Sequence, residues 1–201
     1  MPLHLSRVVL LATCLGGSVC LADETAGAHV LSGAKAFRAG DWPTALVEFR
    51  VALKLGAPPS VRWYEGATLA RAGRFEEAVG AFQLAQEQAP NDRDPLLDYY
   101  RALACFEARL WGCVVEVTDE LQRTGGPRVQ QQVAQMSREA KQLLATEPPK
   151  EAIDACFSRA KSATDPGVAR AWWLEAARLG RKRADAWRVP EAEAASAPKV
   201  K

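Results

Sequence analysis

Residues 33–55, GAKAFRAGDWPTALVEFRVALKL, and residues 66–88, GATLARAGRFEEAVGAFQLAQEQ, are two versions of one pattern, and their superposition decides the fold. Sliding residues 26–58 onto 59–91 places Gly33 on Gly66, Gly40 on Gly73, Ala45 on Ala78, Phe49 on Phe82 and Ala52 on Ala85. So many small or aromatic coincidences in a single register are not expected by chance. A repeat of this length is the mark of supersecondary units stacked on one another.

Each unit makes physical sense as two antiparallel helices joined by a tight turn. The first helix runs to about Ala39 or Ala72, where Gly40 or Gly73 takes the left-handed conformation that ends a helix without a Cβ penalty. The second begins near Trp42 or Phe75. Asp41 is placed to cap it in the first unit, with Pro43 in the opening turn, and Glu76 and Glu77 suit the positive end of the helix dipole in the second. The small residues fall where helices approach closely, and Phe49 and Phe82 fill the space between them.

This order of residues resembles the tetratricopeptide repeat. Glycine recurs at the close-contact and turn positions, an aromatic residue follows the turn, and alanines flank a second aromatic. The resemblance implies an all-α fold, a right-handed α/α superhelix of antiparallel helical hairpins. A third unit over residues 95–125 fits more loosely: Trp111 takes the turn-aromatic position, Ala102, Val114 and Leu121 the small-residue positions, and Arg109 replaces the turn glycine.

Beyond Gly126 the repeat fades while the helical period persists. Residues 128–146 lack Gly and Pro and carry Val129, Val133, Met136, Ala140 and Leu143 as an apolar stripe. Pro148-Pro149 interrupts the chain, and residues 151–161 and 168–179 form a last helical pair about the turn signal Thr164-Asp165-Pro166-Gly167. Ala169, Trp173 and Ala176 repeat the spacing of Ala45, Phe49 and Ala52, as either a diverged hairpin or a capping element would. Four segments result: a leader over residues 1–22, three hairpins over 23–126, a helical extension over 127–184, and a tail over 185–201 whose Ala, Pro and charge predict disorder.

The leader sets the compartment. Residues 1–7 carry Arg7 and no acid, residues 8–22 are uncharged and mostly apolar, and Asp23-Glu24 follow the small Ala22. That is the layout of a secretory signal, with cleavage after Ala22 expected and an uncleaved anchor as the alternative. Export to the bacterial periplasm or cell surface follows. Cys105, Cys113 and Cys156 would then lie in the mature chain, an odd set for which one disulfide plus a free thiol and three buried thiols both stand open.

The chain is 48% hydrophobic and has a formal net charge of +2, so it can bury a core and has no overall attraction to nucleic acid. No catalytic constellation, cofactor or metal is expected: His29 has no partner at metal-ligand spacing, and the glycines sit at turns and helix contacts rather than in a phosphate loop. The resemblance instead implies binding of a protein or peptide on the first helices of the units. The candidate contact residues are Phe37, Arg38, Trp63, Arg71, Tyr99 and Phe106, with Arg38 and Arg71 offering a cationic edge to a partner's acidic residues. The alternative is an envelope-associated module that touches anionic membrane or polymer through Arg178, Arg181, Lys182, Arg183 and Arg188, beside Trp172, Trp173 and Trp187. A more distant one is a cell-wall glycan hydrolase, because a pair of distant carboxylates has no local signature.

Overall fold

The structure, a computed structural model, describes residues 17–92, 94–145 and 150–182. Among the described residues all regular structure is helical. The order is α1 (Gly17–Ala39), α2 (Trp42–Lys54), α3 (Val61–Arg71), α4 (Phe75–Gln88), α5 (Pro95–Glu107), α6 (Trp111–Thr124), α7 (Pro127–Leu143), α8 (Lys150–Ser162) and α9 (Pro166–Lys182). The predicted boundary after Ala22 falls inside α1. The leader before Gly17, the Pro148-Pro149 break and the tail lie outside the described residues.

The helices pair as α1 with α2, α3 with α4, α5 with α6 and α8 with α9. Three of the turns share one construction. At the first, the amides of Gly40 and Asp41 donate to the carbonyls of Phe37 and Ala36; at the second, Gly73 and Arg74 donate to Ala70 and Leu69. The third repeats it, with Arg109 and Leu110 donating to Phe106 and Cys105. These paired bonds satisfy carbonyls at a helix end and need a left-handed residue, and φ is 78° at Gly40, 74° at Gly73 and 61° at Arg109. The third turn is therefore the repeat's own turn, closed against the steric cost of a Cβ. A disulfide between Cys105 and Cys113 straddles it, and Cys156 is a buried free thiol. A bridge over so short a loop stabilises by about 2–3 kcal/mol on chain-entropy grounds.

Inside the hairpins one position carries the contact. A Cβ on Gly33 would lie 2.8 Å from the Phe49 ring, and one on Gly66 would lie 2.8 Å from the Phe82 ring, so each glycine is a socket for an aromatic knob. At the same interval the third hairpin has Ala102 and Thr118, both fully buried, and the last has Phe157 and Trp173 with ring centroids 4.8 Å apart. Asp41 caps α2 as expected, its carboxylate accepting from the Thr44 amide. The buried stripe of α7 is Val133, Met136 and Ala140 and continues to Leu144 just past the helix end, whereas Leu143 is exposed. The expected Leu143 thus gives way to its neighbour, because four residues beyond Ala140 continues the helical face more closely than three.

The hairpins join in series, with α3 against α2 and α5, α4 against α5, and α7 against α5 and α6. The last hairpin does not continue the series. Its α9 folds back along α4 and α6, the second helices of two hairpins. Contact is close enough to exclude side chains: a Cβ on Gly167 would lie 2.4 Å from the Gly80 carbonyl oxygen, and one on Gly80 would lie 2.8 Å from the Val168 amide nitrogen. Two glycine-to-alanine changes separate this contact from helix propensity. Gly27→Ala, with nothing within 4 Å of the new methyl, is expected to stabilise the chain by up to about 1 kcal/mol. Gly80→Ala is expected to destabilise it by about 1–3 kcal/mol in urea unfolding despite the same gain, because the methyl meets backbone.

Candidate functional site

The C-terminal end of α1, the start of α2, the end of α3 and the first half of α5 bring five side chains together. The Phe37 ring meets Trp42 edge-on at 5.4 Å between centroids and Tyr100 at 6.3 Å, and Tyr99 meets Tyr100 at 5.4 Å. The Arg71 guanidinium lies 4.8 Å from the centre of the Trp42 ring and 6.0 Å from that of Tyr100. A guanidinium is held over such rings by their quadrupole while its N–H groups stay free to donate. Phe37, Trp42, Tyr99 and Tyr100 are all partly exposed, and Arg71 is exposed. Arg38 and Lys35 are exposed on α1, and neither they nor Arg71 has an acidic partner among the described residues.

The sequence candidates divide accordingly. Phe37, Arg71 and Tyr99 belong to the cluster, and Arg38 borders it. Trp63 does not: it is 1% exposed, packs on Phe82, and donates its indole N–H to the Ala89 carbonyl at 3.2 Å. It is a core residue, placed there because α3 is enclosed by α2, α4 and α5. Phe106 packs instead on Trp111 at 5.6 Å, beside the third turn. Two members of the cluster were missed, Trp42 and Tyr100. Trp42 holds the repeat's turn-aromatic position and so reads as packing, and Tyr100 adjoins Tyr99 in the unit whose register is loosest.

One member of the C-terminal basic cluster, Arg178, is engaged within the fold. The Arg178 side chain is 13% exposed and its Nε donates to Glu116 at 2.8 Å. Its aromatic neighbours are occupied too, since Trp172 is buried beneath Arg159, 4.6 Å from the guanidinium, and Trp173 is buried on Phe157. Arg178, Trp172 and Trp173 hold α9 to the rest of the chain and do not present an anionic-surface face. Arg181 is exposed, whereas Arg183, Arg188, Trp187 and the Lys182 side chain lie outside the described residues.

Glu175, on the same helix, carried no expectation. Its carboxylate accepts from the amides of Gly112 at 2.7 Å and Cys113 at 3.0 Å, and so caps α6 from across the molecule. The sequence signal for it is a gap: Leu110 stands where a helix wants Ser, Thr, Asp or Asn, so the cap has to come from elsewhere. A Cβ on Gly112 would lie 2.8 Å from Arg178, so this approach also needs glycine.

Burial raises the Glu175 carboxyl above its ordinary 4.5, more than the two amides and Arg178 lower it. Burial also opposes ionisation of Glu116, but there the bond from Arg178 and the charges of Arg178, Arg101 and Arg181 together outweigh it and the carboxyl lies below 4.5. A raised carboxyl binds more protons folded than unfolded, so its contribution to stability falls as pH rises through the folded value. The stability of the parent minus that of Glu175→Gln is therefore expected to decline in urea titrations as pH is raised from 4.5 towards neutrality. A difference that is flat or rises over that range would contradict the assignment. The contribution of Glu116 is lost on the other side, as pH drops below 4.5.

No described helix is long and apolar enough to cross a membrane, and no described group of His, Cys, Asp and Glu side chains is placed to hold a metal. No family model, curated protein or solved structure matches the chain.

Proposed function

We propose that the chain is an exported adaptor of the tetratricopeptide type. In this reading its hairpins form a right-handed α/α superhelix that holds a partner peptide or protein of the cell envelope. The partner lies against Phe37, Trp42, Arg71, Tyr99 and Tyr100, with Arg38 on the border. The observation that carries the proposal is Arg71, stacked on Trp42 and Tyr100 and matched by no acid among the described residues. Partly exposed aromatics beside a pre-oriented guanidinium favour a segment that combines a carboxylate with apolar side chains. Export is supported by the apolar leader and by the Cys105–Cys113 bond, which an oxidising compartment sustains.

The natural partner is not needed for a test. Random-peptide display against the folded chain should enrich sequences with Asp or Glu beside aromatic or aliphatic residues. That enrichment should vanish with the double variant Arg38→Glu, Arg71→Glu, and Trp42→Ala should weaken the selected peptides by about tenfold or more, as expected when an interface anchor is truncated. Selection without acidic enrichment, or enrichment unmoved by the charge reversals, would overturn the proposal. Circular dichroism of each variant establishes that it folds.

A further inference from the structure

Away from the aromatic cluster, α6, α7 and α9 enclose a half-open cleft of about 340 Å³. Val115, Leu144 and Leu179 give it apolar walls, and Lys141, Arg178 and Arg181 bring three cations to it from two helices. Among the described residues Glu116 is the one acid in the lining. Most of this charge is matched within the fold: the Lys141 ammonium is 2.6 Å from Asp119, and Arg178 is 2.8 Å from Glu116. Arg181 is not, because it is exposed and has no ion pair among the described residues, although its charge reaches Glu116.

Basic residues in the last turns suit the helix dipoles, Lys141 on α7 as well as those near the end of α9, but that does not account for the apolar walls beside them. With Lys141 and Arg178 already paired, Arg181 is the cation at the cleft left without an acid among the described residues, and an anion seated there would pair with it. The volume is at the lower end of ligand cavities, roughly 300–1,000 Å³, which suits a small molecule better than a chain segment. Glu116 disfavours a doubly charged phosphate, and Val115, Leu144 and Leu179 disfavour a bare inorganic anion.

We infer that this cleft binds a small monocarboxylate with an aliphatic body, whose carboxylate accepts from Arg181 and Lys141 and whose hydrocarbon lies on Val115, Leu144 and Leu179. The site does not depend on the peptide surface, and either can fail without the other.

Calorimetric titration of the full chain with octanoate, acetate and 1-octanol tests it, the last two probes lacking the apolar body and the charge in turn. Octanoate should bind at one site per chain, more tightly than either. Arg181→Gln should weaken it by about tenfold or more, the worth of a charge-assisted hydrogen bond. Val115→Phe, which fills the cleft without altering charge, should abolish binding. Arg181 is exposed and Val115 only partly buried, and circular dichroism of both variants establishes that they fold. Absence of octanoate binding, equal binding of acetate or octanol, or octanoate affinity unchanged in either variant would overturn the inference.

Discussion

A carboxylate with almost no access to solvent joins the end of this chain to its middle. Glu175 supplies the acceptors that the first turn of α6 lacks, and it does so from a helix more than sixty residues further along. An uncapped helix start is costly when buried, and so is a buried carboxylate without donors. Here each satisfies the other. The approach that allows this depends on Gly112, where any side chain would meet Arg178, and on the backbone contact of Gly80 with Gly167 at the start of α9.

This back-folding settles which surfaces remain open. By lying along α4 and α6, α9 covers second helices of the hairpins; Trp172 and Trp173 on it are buried and Arg178 is mostly so. The cluster of Phe37, Trp42, Arg71, Tyr99 and Tyr100 draws on α1, α2, α3 and α5 and is left partly exposed. The same docking creates the cleft between α6, α7 and α9, which no two of those helices would form. A buried capping pair thus has consequences for both places where the chain could meet a ligand.

How much could be read beforehand differs from element to element. The turns at Gly40, Gly73 and Arg109 were legible, because a left-handed residue between two helices leaves a local signature, and the third survives replacement of its glycine. The Gly33–Phe49 and Gly66–Phe82 contacts were legible because the repeat shows each pair twice. Of the candidate surface, Phe37, Arg71 and Tyr99 converge, while Trp63 is core. A family pattern says which side of a helix a residue occupies, not how much of that side a neighbour covers. On α9 the basic and aromatic residues looked like one surface, whereas Arg178, Trp172 and Trp173 make separate internal contacts and Arg181 is exposed.

By itself the sequence determined the helices, their pairing through the middle of the chain and the construction of the turns, because these rest on periodicity, capping and backbone conformation within a few residues. Tertiary structure alone decided that α9 turns back onto α4 and α6, that Cys105 bonds Cys113, that Glu175 caps α6, and which aromatics stay exposed. Those outcomes join residues distant in sequence or choose among several partners, and complementarity of that kind exists only once the helices are in place.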